Sequence, residues 1–237
     1  LKLPFFGSIE NFMSLLVDQI TQAGLSGHVL NERQLARVIG GSDPRRYGLV
    51  NRALKDGSLV RVKRGTYLLG SRYRPEPVHP FAIAQRLVPG SYVSFETALA
   101  WHGWIPEGVF VTASASPGRK TLQYETPGLG TFSFHPLAIK DFQFLAAIDR
   151  VEVGKRAAFI AQPLRALLDL VEQRKLQWQG SGLLTEGMRI EEEQLASLRQ
   201  QDFDKLRPVY KHRTVNAFMN ELESAVTALG TAGSFHD

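Results

Sequence analysis

The chain has 237 residues, 43% hydrophobic and 22% charged, which is enough apolar content for one large packed domain or two small ones. It has no cysteine, which excludes a disulfide scaffold, a cysteine nucleophile and thiolate zinc sites. The net charge of +5 is unevenly spread: residues 1–74 hold 12 Lys/Arg against 5 Asp/Glu, and residues 75–237 hold 16 against 18. A basic module followed by a near-neutral one is expected, and small basic modules most often meet nucleic acid. No apolar run is long enough for a bilayer, and no basic segment leads into an apolar one as a secretory leader would. A cytoplasmic protein without membrane contact is expected.

In chain order, Ile9, Phe12, Met13, Leu16 and Ile20 recur at helical spacing and predict an amphipathic helix ending near Gly24. Asn31 can cap a second helix, with Gln34 three residues on completing a variant capping box. Leu35, Val38 and Ile39 form its buried stripe, and Gly40-Gly41 stops it in a tight turn. Asp43 as N-cap and Pro44 at the first helical position open a third helix. Tyr47, Val50 and Leu54 line its inner face, and Gly57 ends it. Leu59 to Leu69 then holds two strand-like runs around Lys63-Arg64-Gly65, a β-hairpin with a basic tip.

Helix, glycine turn, helix and basic hairpin together read as a winged helix-turn-helix. Its third helix carries Arg45, Arg46, Asn51, Arg52 and Lys55 on the polar side. Arg45 and Arg46 sit in the first turn, where cations oppose the helix dipole unless an anion or a guanine edge lies nearby. Arginine grips guanine bidentately and asparagine grips adenine, whereas Lys55, Arg61, Lys63 and Arg64 suit phosphates. The eight residues Arg45, Arg46, Asn51, Arg52, Lys55, Arg61, Lys63 and Arg64 are the candidate DNA contacts. The plain alternative is a set of solvated surface charges.

Pro75, Pro77 and Pro80 mark a stiff connector, which divides the chain into a DNA-binding module over 1–74 and an α+β module over 75–237. Arg72 and Arg74 beside it either extend the phosphate footprint or serve solubility alone. A short helix is expected at Phe81–Leu87 and a brief strand at Tyr92-Val93. Ser94 caps a helix from Phe95 to His102. Strands follow at 108–115, 131–135 and within 152–160. Pro163 opens a helix with Leu164, Leu167, Leu168 and Val171 inward, and Arg165 with Asp169, four apart, forms a surface pair. A glycine-rich loop (177–187), a polar helix (191–201) and an amphipathic helix on Val215, Phe218, Leu222, Ala225, Val226 and Leu229 lead to a frayed tail from Gly230. The expected class is α+β, with a small, mainly antiparallel sheet in the second module.

Three stretches resemble a known family. Gly57-Ser58-Leu59-Val60-Arg61-Val62-Lys63-Arg64-Gly65-Thr66-Tyr67 is similar to G-x-L-x-R-x-x-R-G-x-Y. Ser94-Phe95-Glu96-Thr97-Ala98-Leu99, running on through Gly103-Trp104-Ile105-Pro106-Glu107, is similar to S-x-x-[ST]-A-L-x-x-x-G-[LW]-I-P-E. Ile160-Ala161-Gln162-Pro163-Leu164-Arg165-Ala166-Leu167-Leu168-Asp169-Leu170 is similar to I-A-x-P-x-[KR]-A-L-L-D-L. In this order they resemble the AbiEi-type antitoxins of abortive-infection, type IV toxin–antitoxin systems. The resemblance implies an N-terminal module that represses its own operon at an operator with inverted repeats. It implies a C-terminal module that counteracts a nucleotidyltransferase-like toxin without needing a stable complex with it. It implies no cofactor and no catalysis. Binding of paired half-sites on double-stranded DNA points to a monomer or weak dimer that acts cooperatively.

Other chemistry is weaker. The six histidines form no H-x-x-x-H or H-E-x-x-H, and His102 and His135 read as core-edge or surface residues. Asp202-Phe203-Asp204 has the form of a metal-binding D-x-D but follows a polar helix. Asp149, Glu152 and Lys155 fall short of the nuclease step, because period two places Glu152 and Lys155 on opposite faces. Trp101 and Trp104 fit core packing at a helix end better than base stacking. Two rivals remain: a transcription factor whose second module senses a ligand, and an enzyme acting on nucleic acid. A neighbouring nucleotidyltransferase gene, ligand-dependent DNA binding and metal-dependent cleavage, respectively, mark the three.

Overall fold

The computed structural model describes residues 7–232, with side chains from 15 to 229. The chain is mixed α+β and forms two compact units: Leu1–Leu87 with Thr126–Leu129, and Val88–Glu125 with Gly130–Asp237. N-terminal helices dominate the first, and a sheet lies within the second.

In the first unit, α1 (Gly7–Gln22) is followed by β1 (Leu30–Asn31), α2 (Glu32–Ile39), α3 (Asp43–Lys55), β2 (Leu59–Lys63), β3 (Thr66–Leu69) and α4 (Pro80–Leu87). The expected α1 stripe is buried at Leu16 and Ile20, while the side chains of Ile9, Phe12 and Met13 lie outside the described residues. The capping box forms as the sequence predicts. The Gln34 amide nitrogen donates to Asn31 Oδ1 at 2.9 Å, and the Asn31 nitrogen donates to Gln34 Oε1 at 3.1 Å. These bonds satisfy two amides that helix geometry would otherwise leave open. The cap of α3 differs by one residue. Ser42 is the extended cap position and Asp43 is already helical, its carboxylate turned to Arg46.

The hairpin forms, and β1 adds to its β3 edge in the order β1-β3-β2, with antiparallel pairing throughout. Leu16, Ile20, Leu30, Leu35, Ile39, Leu49, Ala53, Leu59, Tyr67 and Leu69 pack into one core. The inner face of α3 is therefore Leu49 and Ala53, with Val50 and Leu54 beside them, and Tyr47 is not part of it: its ring is 72% exposed. The hairpin tip lies against the start of α2, where the Glu32 amide donates to the Gly65 carbonyl at 3.1 Å. Gly65 has φ +72°, a conformation that favours glycine, and a Cβ there would meet the Glu32 carboxylate at 3.2 Å, a tight contact that the Glu32 side chain would have to yield to.

The second unit holds β4 (Tyr92–Val93), α5 (Phe95–Trp101), β5 (Val111–Ser116), β6 (Leu122–Thr126), β7 (Gly130–Pro136), β8 (Ile148–Val153), β9 (Arg156–Ala161) and α6 (Pro163–Arg174). Beyond them come α7 (Gly182–Thr185), α8 (Glu192–Ala196), α9 (Gln200–Leu206) and α10 (Arg213–Ala232). The sheet has six strands in the order β6-β7-β5-β4-β9-β8. The expected small, mainly antiparallel sheet is corrected to a larger, mixed one: β4 with β9 and β5 with β7 run parallel, and β4 with β5 and β8 with β9 run antiparallel. Alternation in a sequence assigns side chains to faces and says nothing about strand direction. The polar helix expected over 191–201 is interrupted, giving α8 and α9, and the last helix runs on to Ala232. Residues of the expected frayed tail from 233 onward lie outside the described ones.

Helix α6 runs through the middle of this unit, packed by α5, α9 and α10, with Leu164, Leu167, Leu168 and Val171 buried as its pattern predicts. The expected surface pair Arg165–Asp169 is also corrected: both side chains are wholly buried. Asp169 accepts from Arg165 Nε (2.9 Å), the Tyr210 hydroxyl (2.7 Å), the Tyr92 hydroxyl (2.9 Å) and Ser94 Oγ (2.7 Å). Ser94 therefore spends its hydroxyl on Asp169 and makes no side-chain cap of α5, although it holds the cap position. The Arg165 guanidinium also donates to the Ala146 carbonyl at 2.8 Å and to the Tyr92 oxygen, and it lies over the rings of Tyr92 and Tyr210. A buried ion pair is tolerated only when its remaining donors and acceptors are met, and here they are. Burial opposes the Arg165 charge, but the Asp169 carboxylate and the tyrosine hydroxyls outweigh it and hold the guanidinium above its ordinary range. Burial, reinforced by Asp169, pushes both tyrosine hydroxyls well above theirs.

Candidate nucleic-acid interface

Because Leu49 and Ala53 fix the inner side of α3, Pro44, Arg45, Tyr47, Arg52 and Lys55 lie exposed on the outer side, with Asn51 and Gly48 half-buried among them. Four of the five predicted helix contacts are cations, and three of these stay available. Among the described residues Arg45 and Lys55 make no side-chain hydrogen bond or ion pair, and Arg52 only donates Nε to the Gly48 carbonyl at 3.2 Å. Arg46 is different: it pairs with Asp43 and donates to the Gly41 carbonyl. That pair offsets one of the two cations at the positive end of the helix dipole and leaves Arg45 unbalanced. Arg45 folds over the turn, where a Cβ on Gly41 would meet its Nη1 at 2.8 Å. The glycine turn thus makes room for this side chain as well as ending α2.

The hairpin divides its cations in the same way. Arg61 and Arg64 are exposed and unpaired among the described residues. Lys63 is half-buried and donates its ammonium to the Leu87 carbonyl. The cause is a register shift between Arg61 and Lys63, a bulge that re-aims the side chain beyond it. Arg72 is held by the Asp56 carbonyl at 3.4 Å and stacks on Tyr73, and burial lowers the pKa of Arg74. Arg74 is half-buried, whereas Arg72 stays exposed with one backbone bond, as Arg52 does. Between α2 and α3 a cavity of about 420 Å³ opens, lined in part by Arg33, Arg46, Tyr47 and Tyr67.

Tyr47 and Gly48 are the functional candidates that the sequence reading missed. Tyr47 falls at a position compatible with the apolar stripe, and only the packing of Leu49 and Ala53 turns it outward. The signal for Gly48 was present: a glycine inside a strongly cationic helix, away from either end.

No family model matches the chain, and no curated protein matches it.

The second unit has its own concave site, a cavity of about 630 Å³. Its walls combine Leu99, Ile105 and Met188 with Glu96, His135 and Arg174. Glu96 and Arg174 pair across it, and burial holds His135 below its ordinary pKa against the raising effect of Glu96. His135 meets the Phe95 ring edge to face at 5.4 Å, and Phe95 itself carries a positive φ of 56°.

The remaining sequence candidates are dispersed. Asp202 accepts from the Arg199 amide at 3.0 Å, and Asp204 pairs with Arg207 at 3.2 Å, so both serve the ends of α9. Asp149 accepts from Gln162 at 2.9 Å, and Lys155 sits in the turn after Val153. His102 contacts the Ala161 carbonyl at 2.9 Å. Trp104 is buried, while Trp101 is 45% exposed. Among the described residues no group of three or more His, Asp or Glu side chains is placed to hold a metal ion, and no helix is long and apolar enough to cross a membrane.

Proposed function

We propose that the chain is a non-enzymatic, DNA-binding antitoxin. Its first unit works as a winged helix-turn-helix that represses its own operon, and its second counteracts a nucleotidyltransferase-like toxin without a stable complex. The observation that carries the DNA part is the outer face of α3: Arg45, Arg52 and Lys55 stand exposed with no acidic partner among the described residues, as do two hairpin cations, Arg61 and Arg64. Unpaired cations on one helix and one hairpin are what a phosphate-lined duplex requires. The element order helix, strand, helix, helix, hairpin supports the winged reading, with α3 entering the major groove and the hairpin beside the backbone. Double-stranded operator DNA is the partner, read as paired half-sites by a monomer or weak dimer.

The antitoxin part rests on the three motif stretches. Two of them meet in the Arg165–Asp169–Ser94 network, which gives their Ser, Arg and Asp a shared structural task. A second reading, a regulator with a ligand-sensing second unit, draws on the 630 Å³ cavity, which is of small-molecule size.

Two cellular measurements test the proposal. Expression of the chain lowers output from a reporter fused to the DNA upstream of its own gene. Its co-expression restores growth arrested by a neighbouring nucleotidyltransferase. Repression that appears only with an added metabolite, without rescue, favours the ligand-sensing reading. Neither repression nor rescue overturns both.

A further inference from the structure

Gly48 is the sixth of thirteen residues in α3, far from either end, where glycine is the poorest of the ordinary helix residues. The fold does not ask for it: a Cβ built there meets no atom within 4 Å outside the helix's own nearby backbone. Its helical neighbours at three and four residues' distance are Pro44, Arg45, Asn51 and Arg52, so three of the candidate base-reading side chains surround it. Arg52 lies across it, its Nε on the Gly48 carbonyl at 3.2 Å, and the exposed Tyr47 ring stands next in sequence. The middle of the cationic face of α3 is thus a shallow gap bordered by donors.

We infer that Gly48 is the point of closest approach between α3 and the floor of the major groove. In this inference, which rests on the DNA-binding reading, the missing side chain lets Arg45, Asn51 and Arg52 reach base edges. Glycine is the residue that permits such close approach, and its cost to the helix is accepted because binding gains from it. A methyl at this position fits the free protein and blocks the bound one. Stability and specificity therefore respond in opposite directions to one substitution, which a purely structural glycine does not do.

The test uses the full-length chain. The wild type first selects a duplex from a randomised DNA library, and that duplex with a scrambled control is then titrated against Gly48→Ala, Gly48→Leu and the double variant Arg45→Ala with Arg52→Ala. Gly48→Ala is expected to raise the melting midpoint by about 2–4 °C. It is expected to weaken the selected duplex about tenfold and Gly48→Leu about a hundredfold, with the scrambled duplex bound as before. Wild-type affinity in Gly48→Ala, or a lowered melting midpoint, overturns the inference. If the arginine double variant loses the selected duplex while Gly48→Ala keeps it, the DNA reading stands and only the role of Gly48 falls. A wild type that enriches no sequence removes the DNA reading and this inference together.

Discussion

Arg45 and Arg52 of α3 and Arg165 of α6 are all helical arginines, in opposite situations. Arg45 and Arg52 stand exposed on a helix and form no ion pair among the described residues. Arg165 stands on a helix with its guanidinium wholly buried between two tyrosine rings and bonded to Asp169, Tyr92 and Ala146. An unpartnered exposed cation costs the fold little and stays available to an anion. A buried one must be satisfied at every donor, and it is then committed to structure. The same residue type is therefore left open on α3 and committed to architecture on α6 by what surrounds it.

The sharpest way to break this contrast is Arg165→Ala. It leaves a buried carboxylate without its cation and is expected to cost about 3–5 kcal/mol of unfolding free energy, read by chemical denaturation. A loss below about 1 kcal/mol would return the pair to the surface role that its i,i+4 spacing suggests. On the other side, Arg45→Ala with Arg52→Ala should cost at least about thirtyfold in affinity for the operator, since each base contact is worth about 1–3 kcal/mol. Its denaturation curve should stay within about 0.5 kcal/mol of wild type.

The hairpin sharpens the comparison within one element. Arg61→Ala with Arg64→Ala should weaken all duplexes alike, about tenfold at moderate salt, and reduce the slope of log K against log salt by about 1.8. Lys63→Ala should leave that slope unchanged, because its ammonium already belongs to the Leu87 carbonyl. A slope reduced equally by Lys63→Ala would mean that the bond to Leu87 yields to DNA. A smaller effect is expected at the cap of α2, where Asn31→Ala should cost about 1 kcal/mol in a thermal melt.

The smallest effect concerns pH. Burial places the folded pKa of His135 below its ordinary value, so the unfolded chain takes up the proton first as pH falls. Its contribution to stability is constant above the ordinary histidine pKa and declines as pH drops below it toward the folded value. His135→Gln should flatten that part of the stability profile between about pH 6.5 and the acid limb. An unchanged profile would leave the histidine without a role in stability.

Local features were the ones legible in the sequence. The Asn31–Gln34 box and the stripe on α6 depend on residues within one or two turns, and both form as the sequence predicts. The features that escaped depend on distant partners. Spacing announces that Arg165 and Asp169 meet, but the Tyr92 and Tyr210 hydroxyls that help bury them come from 77 and 41 residues away from Asp169. Ser94 has the right residue type for a cap, yet a buried carboxylate 75 residues on takes its hydroxyl. Lys63 looked equivalent to Arg64 until a bulge re-aimed it, and Tyr47 looked apolar until the core chose Leu49 and Ala53. At the candidate interface the residue types were readable, whereas their availability depended on which of them the fold had already used.

The most direct test of that division is an anisotropy titration of the full-length chain with duplex from upstream of its own gene and with a scrambled duplex, at two salt concentrations. Specific binding that survives the higher salt in wild type and Arg165→Lys, but is lost in Arg45→Ala with Arg52→Ala, is the predicted result. Equal, weak binding of both duplexes that vanishes with salt would contradict it, leaving α3 as a solvated basic face.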